Sequence, residues 1–276
     1  MLSSHLVIPD AHIRPGCQSE HIEALSQWIV RNKPKKIIVI GDWWDIGSLS
    51  PHSGCVATGG GGAGKALEGK RLRRDLQSGL DAIDCLMFPI EYENKKHRRA
   101  GRSFLQYRPE LYFIEGNHEE RLRRIAEICP QLETFVGIDD IREPLIKHGF
   151  HFQRFLDPIE IDGIFYSHYF ANKKGGAIGV RQSASVLNAS AIWGHTHSVG
   201  YELTQGLDGR TVTRICAGTF KHPSDLRPHE QSGVFHLTSV ARGEFSMSYI
   251  RTSDLLKSSE KHGRRCGTME VIDDFS

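Results

Sequence analysis

Lys36-Ile-Ile-Val-Ile-Gly-Asp-Trp-Trp-Asp45 joins two kinds of sequence within one short stretch. Ile37, Ile38, Val39 and Ile40 form a continuous β-branched run, the pattern of a strand buried on both faces and therefore central in its sheet. Gly41 permits a sharp turn, and two acids then bracket two tryptophans. A buried strand ending in Gly-Asp sets a carboxylate at the carboxyl edge of a sheet, where α/β proteins place their chemistry. Taken alone, Asp42 reads equally well as a cap of a turn or helix. The other strand ends decide its meaning.

Upstream, Leu6-Val-Ile-Pro-Asp10 reads as a first strand and Pro15-Gly16 as a turn. Residues 19–32 carry Ile22, Leu25, Trp28 and Ile29 at the spacing of an amphipathic helix, with Ser19 as its cap. Strand, helix and strand make a βαβ unit with a right-handed crossover. Residues 46–109 break this rhythm and are expected to form an insertion packed over the sheet edge. It holds a glycine-rich loop (58–65), a helix over about 67–87, and a basic turn, Lys95-Lys-His-Arg-Arg-Ala-Gly-Arg102. The loop approximates two phosphate-binding motifs. However, Ala66 stands where a P-loop needs a hydroxyl, and no buried strand precedes it, so it reads as a flexible linker.

Downstream, a strand over 111–115 ends in Gly116-Asn-His-Glu119, and a helix over about 119–128 is stopped by Pro130. A hairpin over 159–168 turns at Asp162-Gly163. A helix is expected over 175–187 and a short strand over 191–193, leading to Gly194-His-Thr-His197. Alternation over 211–216, 234–240 and 245–250 predicts three further strands, antiparallel to their neighbours. The expected organisation is one domain over 1–250, with the insertion at about 46–109, and a polar tail (251–276) in which no element is legible.

The chain has 276 residues, 39% hydrophobic and 25% charged, enough for a sizeable core. A net charge of +2 imposes no global field that demands a nucleic acid or a membrane. No apolar run approaches the ~20 residues needed to span a bilayer. The first residues lack a basic segment and a long apolar stretch, so they do not read as a signal peptide. Six cysteines without a C-x-x-C pair suggest reduced thiols, not a disulfide framework or a zinc ribbon. The expected location is cytoplasmic (host cytoplasm if the protein is viral), with no membrane partner.

Five strand ends carry the same class of side chain: Asp10 and His12; Asp42 and Asp45; Asn117 and His118; His168; His195 and His197. In an extended chain residues i and i+2 point the same way, so Asp10/His12 and His195/His197 can each offer two ligands to one place. Two divalent ions ~3.5–4 Å apart need a bridging oxygen and several N/O ligands each, and Asp42 on the central strand is the natural bridge. A histidine after a strand is usually structural, and an aspartate after glycine usually a turn. Five such ends in one chain favour the chemical reading.

The ordered set Asp10-Ala-His12, Gly41-Asp-Trp-Trp-Asp45, Gly116-Asn-His-Glu119, His168 and Gly194-His-Thr-His197 resembles the calcineurin-like metallophosphoesterase superfamily, over residues 10–197. The Trp43-Trp44 form of the second motif, with the insertion after it, is similar to uncharacterised phage-encoded members. The resemblance implies an α/β fold, a four-layer α-β-β-α sandwich with two mixed sheets. It implies that Asp10, His12 and His197 hold one metal and Asn117, His168 and His195 a second, bridged by Asp42. His118 faces the substrate as general acid or as donor to the phosphate, while Asp45 and Glu119 steady the loops behind the ligands. Glu119 reads equally as a first-turn helix acid. The cofactor is two divalent ions, manganese first, with iron, zinc, nickel or magnesium as alternatives.

Two such ions against two carboxylates leave about two positive charges, which attract a phosphate. A water bridging them becomes hydroxide near neutral pH and attacks phosphorus in line, and His118 protonates the departing alkoxide. The expected activity is a phosphodiesterase, nuclease or phosphatase acting on nucleotides or nucleic acid. The alternatives are a phosphomonoesterase for phosphoprotein or a small metabolite, and a non-catalytic metal-binding scaffold. Lys70, Arg71 and Arg74 in the insertion are candidate substrate contacts, and its basic residues with Tyr92, Phe104 and Tyr107 read either as a groove for a nucleic-acid backbone or as a solvated face.

Overall fold

The β-branched run forms a strand flanked on both sides in a six-stranded sheet of order β11-β10-β1-β2-β3-β4. In the computed structural model, which describes residues 2–53, 67–206 and 209–261, β1 (Ser3–Ile8), β2 (Lys36–Val39), β3 (Glu110–Ile114) and β4 (Phe150–Gln153) run parallel. The pair β10 (Gly233–Ala241) and β11 (Glu244–Arg251) is antiparallel, and β10 also pairs antiparallel with β1. A second sheet has the order β5-β6-β7-β9-β8. Within it β6 (Ile164–Tyr166), β7 (Ala191–Trp193) and β9 (Thr211–Ala217) run parallel, edged by antiparallel β5 (Ile159–Ile161) and β8 (Val199–Gln205). The fold is therefore mixed α/β with two mixed sheets and, among the described residues, six α-helices.

Each face is apolar for a separate reason. Val7, Ile38, Ile40 and Ile114 of the first sheet meet Ile164, Tyr166, Ile192 and Ile215 of the second in one shared core. The other face of the first sheet (Leu6, Ile37, Val39, Phe113) is covered by α1 (Glu20–Asn32), α2 (Leu72–Arg99), α3 (Glu120–Ile128), α4 (Asp139–Lys147) and α6 (Thr252–Lys261). The far side of the second sheet carries Trp193 and Cys216 against Phe170, Ile178 and the short helix α5 (Val180–Ser183). Because β2 is sandwiched between these layers, its side chains are apolar on both faces, hence the unbroken run.

Several expectations are corrected. The helix of the insertion starts later and ends later than expected, and the basic residues Lys95–Arg99 belong to its last turns, not to a loop. It passes through Pro89, whose missing N–H would ordinarily end it, because Leu86, Met87 and Ile90 on either side are buried in the same core. Residues 175–187 yield only the single turn of α5; Gly175, Gly176 and Gly179 deny the rest a helix. Ser19 occupies the N-cap position of α1, but its side chain makes no capping bond. β9 is antiparallel to β8 but parallel to β7. The tail is not featureless: Thr252–Lys261 is a helix, anchored by the Thr252 hydroxyl at 2.6 Å from Ser232 Oγ and by buried Leu255. The glycine-rich stretch 58–65 lies outside the described residues.

The tryptophans of the opening stretch dock α2. Both are fully buried; Trp43 Nε1 donates to Gly79 O at 3.0 Å and Trp44 Nε1 to Leu76 O at 2.9 Å. A Cβ on Gly79 would fall 1.8 Å from Trp44 Nε1. At the other end of α2, Asn94 exchanges hydrogen bonds with the main chain of Tyr107, whose hydroxyl reaches Pro34 O beside the start of β2. α2 thus runs antiparallel to β2. Gly79→Ala in a helix ordinarily stabilises by ~1 kcal/mol. Here overpacking against the indole is expected to reverse the sign and cost ~1–3 kcal/mol in urea unfolding; an unchanged or raised midpoint would contradict this docking.

Candidate metal centre

The strands that carry candidate ligands in the two sheets all point their carboxyl ends to one edge. Asp10 follows β1, Asp42 follows β2, Asn117 follows β3, His168 follows β6 and His195 follows β7. Sequence separations of up to 187 residues close to a few ångströms there.

The side chains form two adjoining groups. In one, His12 Nε2 lies 2.9 Å from His197 Nε2, and Asp10 Oδ2 lies 3.3 Å from His197 Nε2 and 4.0 Å from His12 Nε2. In the other, Asn117 Oδ1 lies 2.8 Å from His168 Nε2 and 2.9 Å from His195 Nδ1. Asp42 Oδ2 stands between the groups, 3.4 Å from His168 Nε2, 3.8 Å from His12 Nε2 and 3.7 Å from His118 Nε2. Three sets can each hold an ion: Asp10, His12 and His197; Asp42, His168 and His195; and His12, Asp42 and His118. The last brings His118, which the sequence reading kept apart from the ligands, within the same reach.

The backbone is bent to make this possible. His12, Asp42, His195 and His197 all have left-handed φ, between 48° and 68°, a conformation that costs ~1–3 kcal/mol per residue and persists only where the surroundings impose it. Close approach is bought by glycine. A Cβ on Gly194 would fall 2.0 Å from Asp10 Oδ1, and one on Gly116 would fall 2.3 Å from both Asp42 N and Asp42 Oδ1.

Behind the cluster, acceptors orient the rings. His168 Nδ1 faces Ile40 O at 3.0 Å, His118 Nδ1 faces Asp45 O at 2.6 Å, and His197 Nδ1 faces Glu230 Oε1 at 2.7 Å. Asp45 Oδ1 lies 3.5 Å from His12 Nδ1. A carbonyl can only accept, so His168 and His118 donate from Nδ1 and turn Nε2 inward. The Nε2 atoms of His12 and His197 2.9 Å apart, two inward carboxylates, and a buried Asp10 Oδ1 with no hydrogen-bond partner among the described residues form a crowded set of donor atoms. Divalent ions fit it: mixed imidazole, carboxylate and amide oxygen is the chemistry that first-row metals accept.

The electrostatics follow from this crowding. Burial raises the Asp42 carboxyl, but the His118 and His168 rings outweigh it and hold it well below the usual range. Burial likewise opposes ionisation of Asp45, yet a hydrogen bond from His12, with the His118 and Arg121 side chains nearby, brings it down to about 2. Burial pushes His118 down to about 4 against the pull of Asp42, so the ring is neutral. His168 goes the other way: the Asp42 carboxylate overcomes its burial and lifts it to about 10.

Glu119 is the N-cap residue of α3, but its carboxylate does not cap the helix. It accepts from Gly116 N at 2.8 Å, Asp42 N at 3.0 Å and Trp44 N at 3.0 Å. It ties the second and third motifs together, a role that a plain first-turn acid lacks. Burial and the neighbouring Asp42 push its carboxyl up to about 8.

Three buried groups escaped the sequence reading. Glu230 and Lys221 stand behind His197, and Arg121 Nη1 donates to Asp45 O at 2.9 Å and Ile46 O at 3.2 Å. Arg121 follows Glu119 closely enough to have been suspected; nothing in the local pattern marks Glu230 or Lys221. Of the candidate substrate contacts, Lys70 Nζ lies 3.4 Å from Gly47 O, two residues past Asp45. Arg71 donates to Lys70 O at 2.8 Å, and Arg74 is exposed at the start of α2. All three lie at or just before the start of α2, and Lys70 is the one in contact with the loop that follows Asp45. Arg98 and Arg99 do not: at 1.5 Å per residue they are about 28–30 Å along α2 from Gly79.

Glu119→Ala would leave three buried N–H groups unpaired, at ~1–3 kcal/mol each. The expected result is a loss of several kcal/mol in chemical denaturation together with weakened metal uptake, and a loss below ~1 kcal/mol would show that the carboxylate is not the tie described.

No known protein family matches the sequence, and no curated protein matches it. Among solved structures, the chain has a likeness to Yfce, a phosphoesterase from E. coli, at 11% identity and a TM-score of 0.37, covering 90% of this chain and 100% of that one. A likeness of that degree carries no argument about fold or chemistry, and the centre is read from its own geometry.

Proposed function

We propose that the protein is a phosphoester hydrolase that works with two divalent ions. The single observation that carries this reading is Asp42 Oδ2 lying between two sets of candidate ligand atoms, Asp10/His12/His197 on one side and Asn117/His168/His195 on the other. One ion in each set would share Asp42, and such a pair supplies a water with its pKa lowered towards ~7 as nucleophile and a positive field for a phosphoryl group. In this reading residues 1–250 act as one unit with the layering of a four-layer sandwich.

The chain's own groups have separate tasks. Asn117 contributes a neutral oxygen and the imidazoles neutral nitrogens, so the positive charge is not quenched. His118 is 15% exposed, its Nδ1 held by Asp45 O, with Nε2 3.7 Å from Asp42 Oδ2. It is the group placed to meet the leaving oxygen. Burial favours its neutral form, so the proton it gives to the leaving oxygen would be drawn from solvent, the diester carrying none. Asp45 and Glu119 keep His12 and the two loops in place. Lys70, tied to the loop after Asp45, with Arg71 and Arg74 beside it in the chain, are the cations we assign to a phosphodiester of a nucleotide or nucleic acid. The more distant basic end of α2 takes no part.

The test is uptake of manganese, zinc or iron by the metal-free protein, followed by hydrolysis of chromogenic mono- and diesters. Two equivalents bound, with activity lost to a chelator and regained on adding metal, are expected; tight binding of none overturns the reading. Asp42→Asn is expected to weaken both equivalents and reduce kcat by at least ~10³-fold, near the scale of losing a main electrostatic contact. His118→Ala is expected to retain both equivalents while kcat falls ~10²–10⁴-fold on poor leaving groups and far less on nitrophenolate. Loss of metal in that variant would make His118 a ligand.

A further inference from the structure

Among the rings around the centre, His197 is held in a way that the others are not. His168 and His118 donate to main-chain carbonyls, which can only accept. His197 Nδ1 lies 2.7 Å from Glu230 Oε1 and 3.2 Å from Lys221 Nζ, while Lys221 Nζ is itself 2.8 Å from the same Oε1. Two proton arrangements compete. In one, Nδ1–H donates to Glu230 and Nε2 faces Asp10 and His12 with a free lone pair. In the other, the Lys221 ammonium donates to Nδ1, the ring proton moves to Nε2, and that N–H points at His12 Nε2, 2.9 Å away. The second arrangement cannot bind a cation.

Glu230 is equipped to decide between them. Its side chain is wholly excluded from solvent, and every neighbour it has is a donor: His197 and Lys221 at Oε1, and Arg227 N at 3.0 Å from Oε2. The next residue is clamped to the same loop, with Gln231 N donating to His197 O at 3.0 Å and Gln231 Oε1 accepting from Val199 N at 2.7 Å. Carboxylate and imidazole are thus held in register by three contacts besides their own.

We propose that Glu230 is the positioning residue of His197: it draws the ring proton to Nδ1 against the competing Lys221 ammonium and so presents Nε2 to the half of the centre formed by Asp10 and His12. The consequence for metal rests on the reading given under Proposed function; the tautomer does not, because it is a property of the metal-free protein.

The experiment is long-range ¹⁵N–¹H NMR of metal-free, ¹⁵N-histidine-labelled protein at one neutral pH, with the His197 signals assigned by their loss in His197→Ala. Wild type and Lys221→Met are expected to show the Nδ1–H form, and Glu230→Ala the Nε2–H form. If the alanine variant fails to fold, Glu230→Gln keeps the volume and is expected to shift the population towards Nε2–H. A wild type in the Nε2–H form, or an unchanged tautomer in the Glu230 variants, overturns the proposal. With Mn²⁺ as the probe, Glu230→Ala should weaken one equivalent ~10–100-fold and leave the other within about twofold. Equal weakening of both would mean a merely structural role and would also overturn it. Should wild type bind neither Mn²⁺ nor zinc or iron, the hydrolase reading fails while the tautomer result still decides the part played by Glu230.

Discussion

A single carboxylate accepts three main-chain N–H groups drawn from two loops, and the geometry of the centre depends on it. Glu119 fastens Asp42, Trp44 and Gly116 into one rigid unit at the carboxyl edge of the first sheet. Asp42 adopts a left-handed backbone there, and its Oδ1 accepts from His118 N at 2.9 Å, leaving Oδ2 directed at the rings. A side chain at position 116 would sit on Asp42, so the loops meet only because that position lacks one. Buried acids in such proximity repel, and each raises the cost of ionising the other. That repulsion is tolerable where cations are to be held.

Imidazoles surround this unit in a regular way. A carbonyl behind the ring holds a proton on Nδ1 of His168 and His118, so Nε2 is the nitrogen turned to the centre. The scaffold behind a ligand determines what it offers, more than its identity does. Tyr169 adds a wall on one side, its ring centroid 4.7 Å from that of His195 and 5.6 Å from that of Phe155.

The insertion contributes through its near end. Trp43 and Trp44, inside the second motif, bind α2 by hydrogen bonds to helix carbonyls at Gly79 and Leu76. Asp75 accepts from Ser48 N at 2.9 Å, closing the loop that follows Asp45. The helix and the loop after β2 are therefore one packing unit. The cations at its far end have local occupations, as when Lys96 bonds Glu93 at 3.0 Å and lies over the Tyr92 ring.

Much of this was legible from residue order. A β-branched run with no polar interruption can only be a strand covered on both faces, and Gly-Asp after it, repeated as Gly-Asn-His and Gly-His-x-His after later strands, named the candidate residues and their chemistry by local pattern alone. The hairpin at Asp162-Gly163 was equally local, with both residues at positive φ as its turn requires. What stayed hidden depends on contacts between distant segments. β4 is only four residues long, α4 carries no strong period, α5 shrinks to a turn among glycines, and β8 has polar and exposed residues because it is an edge strand. α2 outruns its proline because a core formed by other elements holds it. Glu230 lies 33 residues from His197 and has no motif around it. Spacing along a chain records which face a residue shares with its near neighbours. Only folding brings an acceptor from another loop behind a ring, and that encounter decides which nitrogen the ring presents.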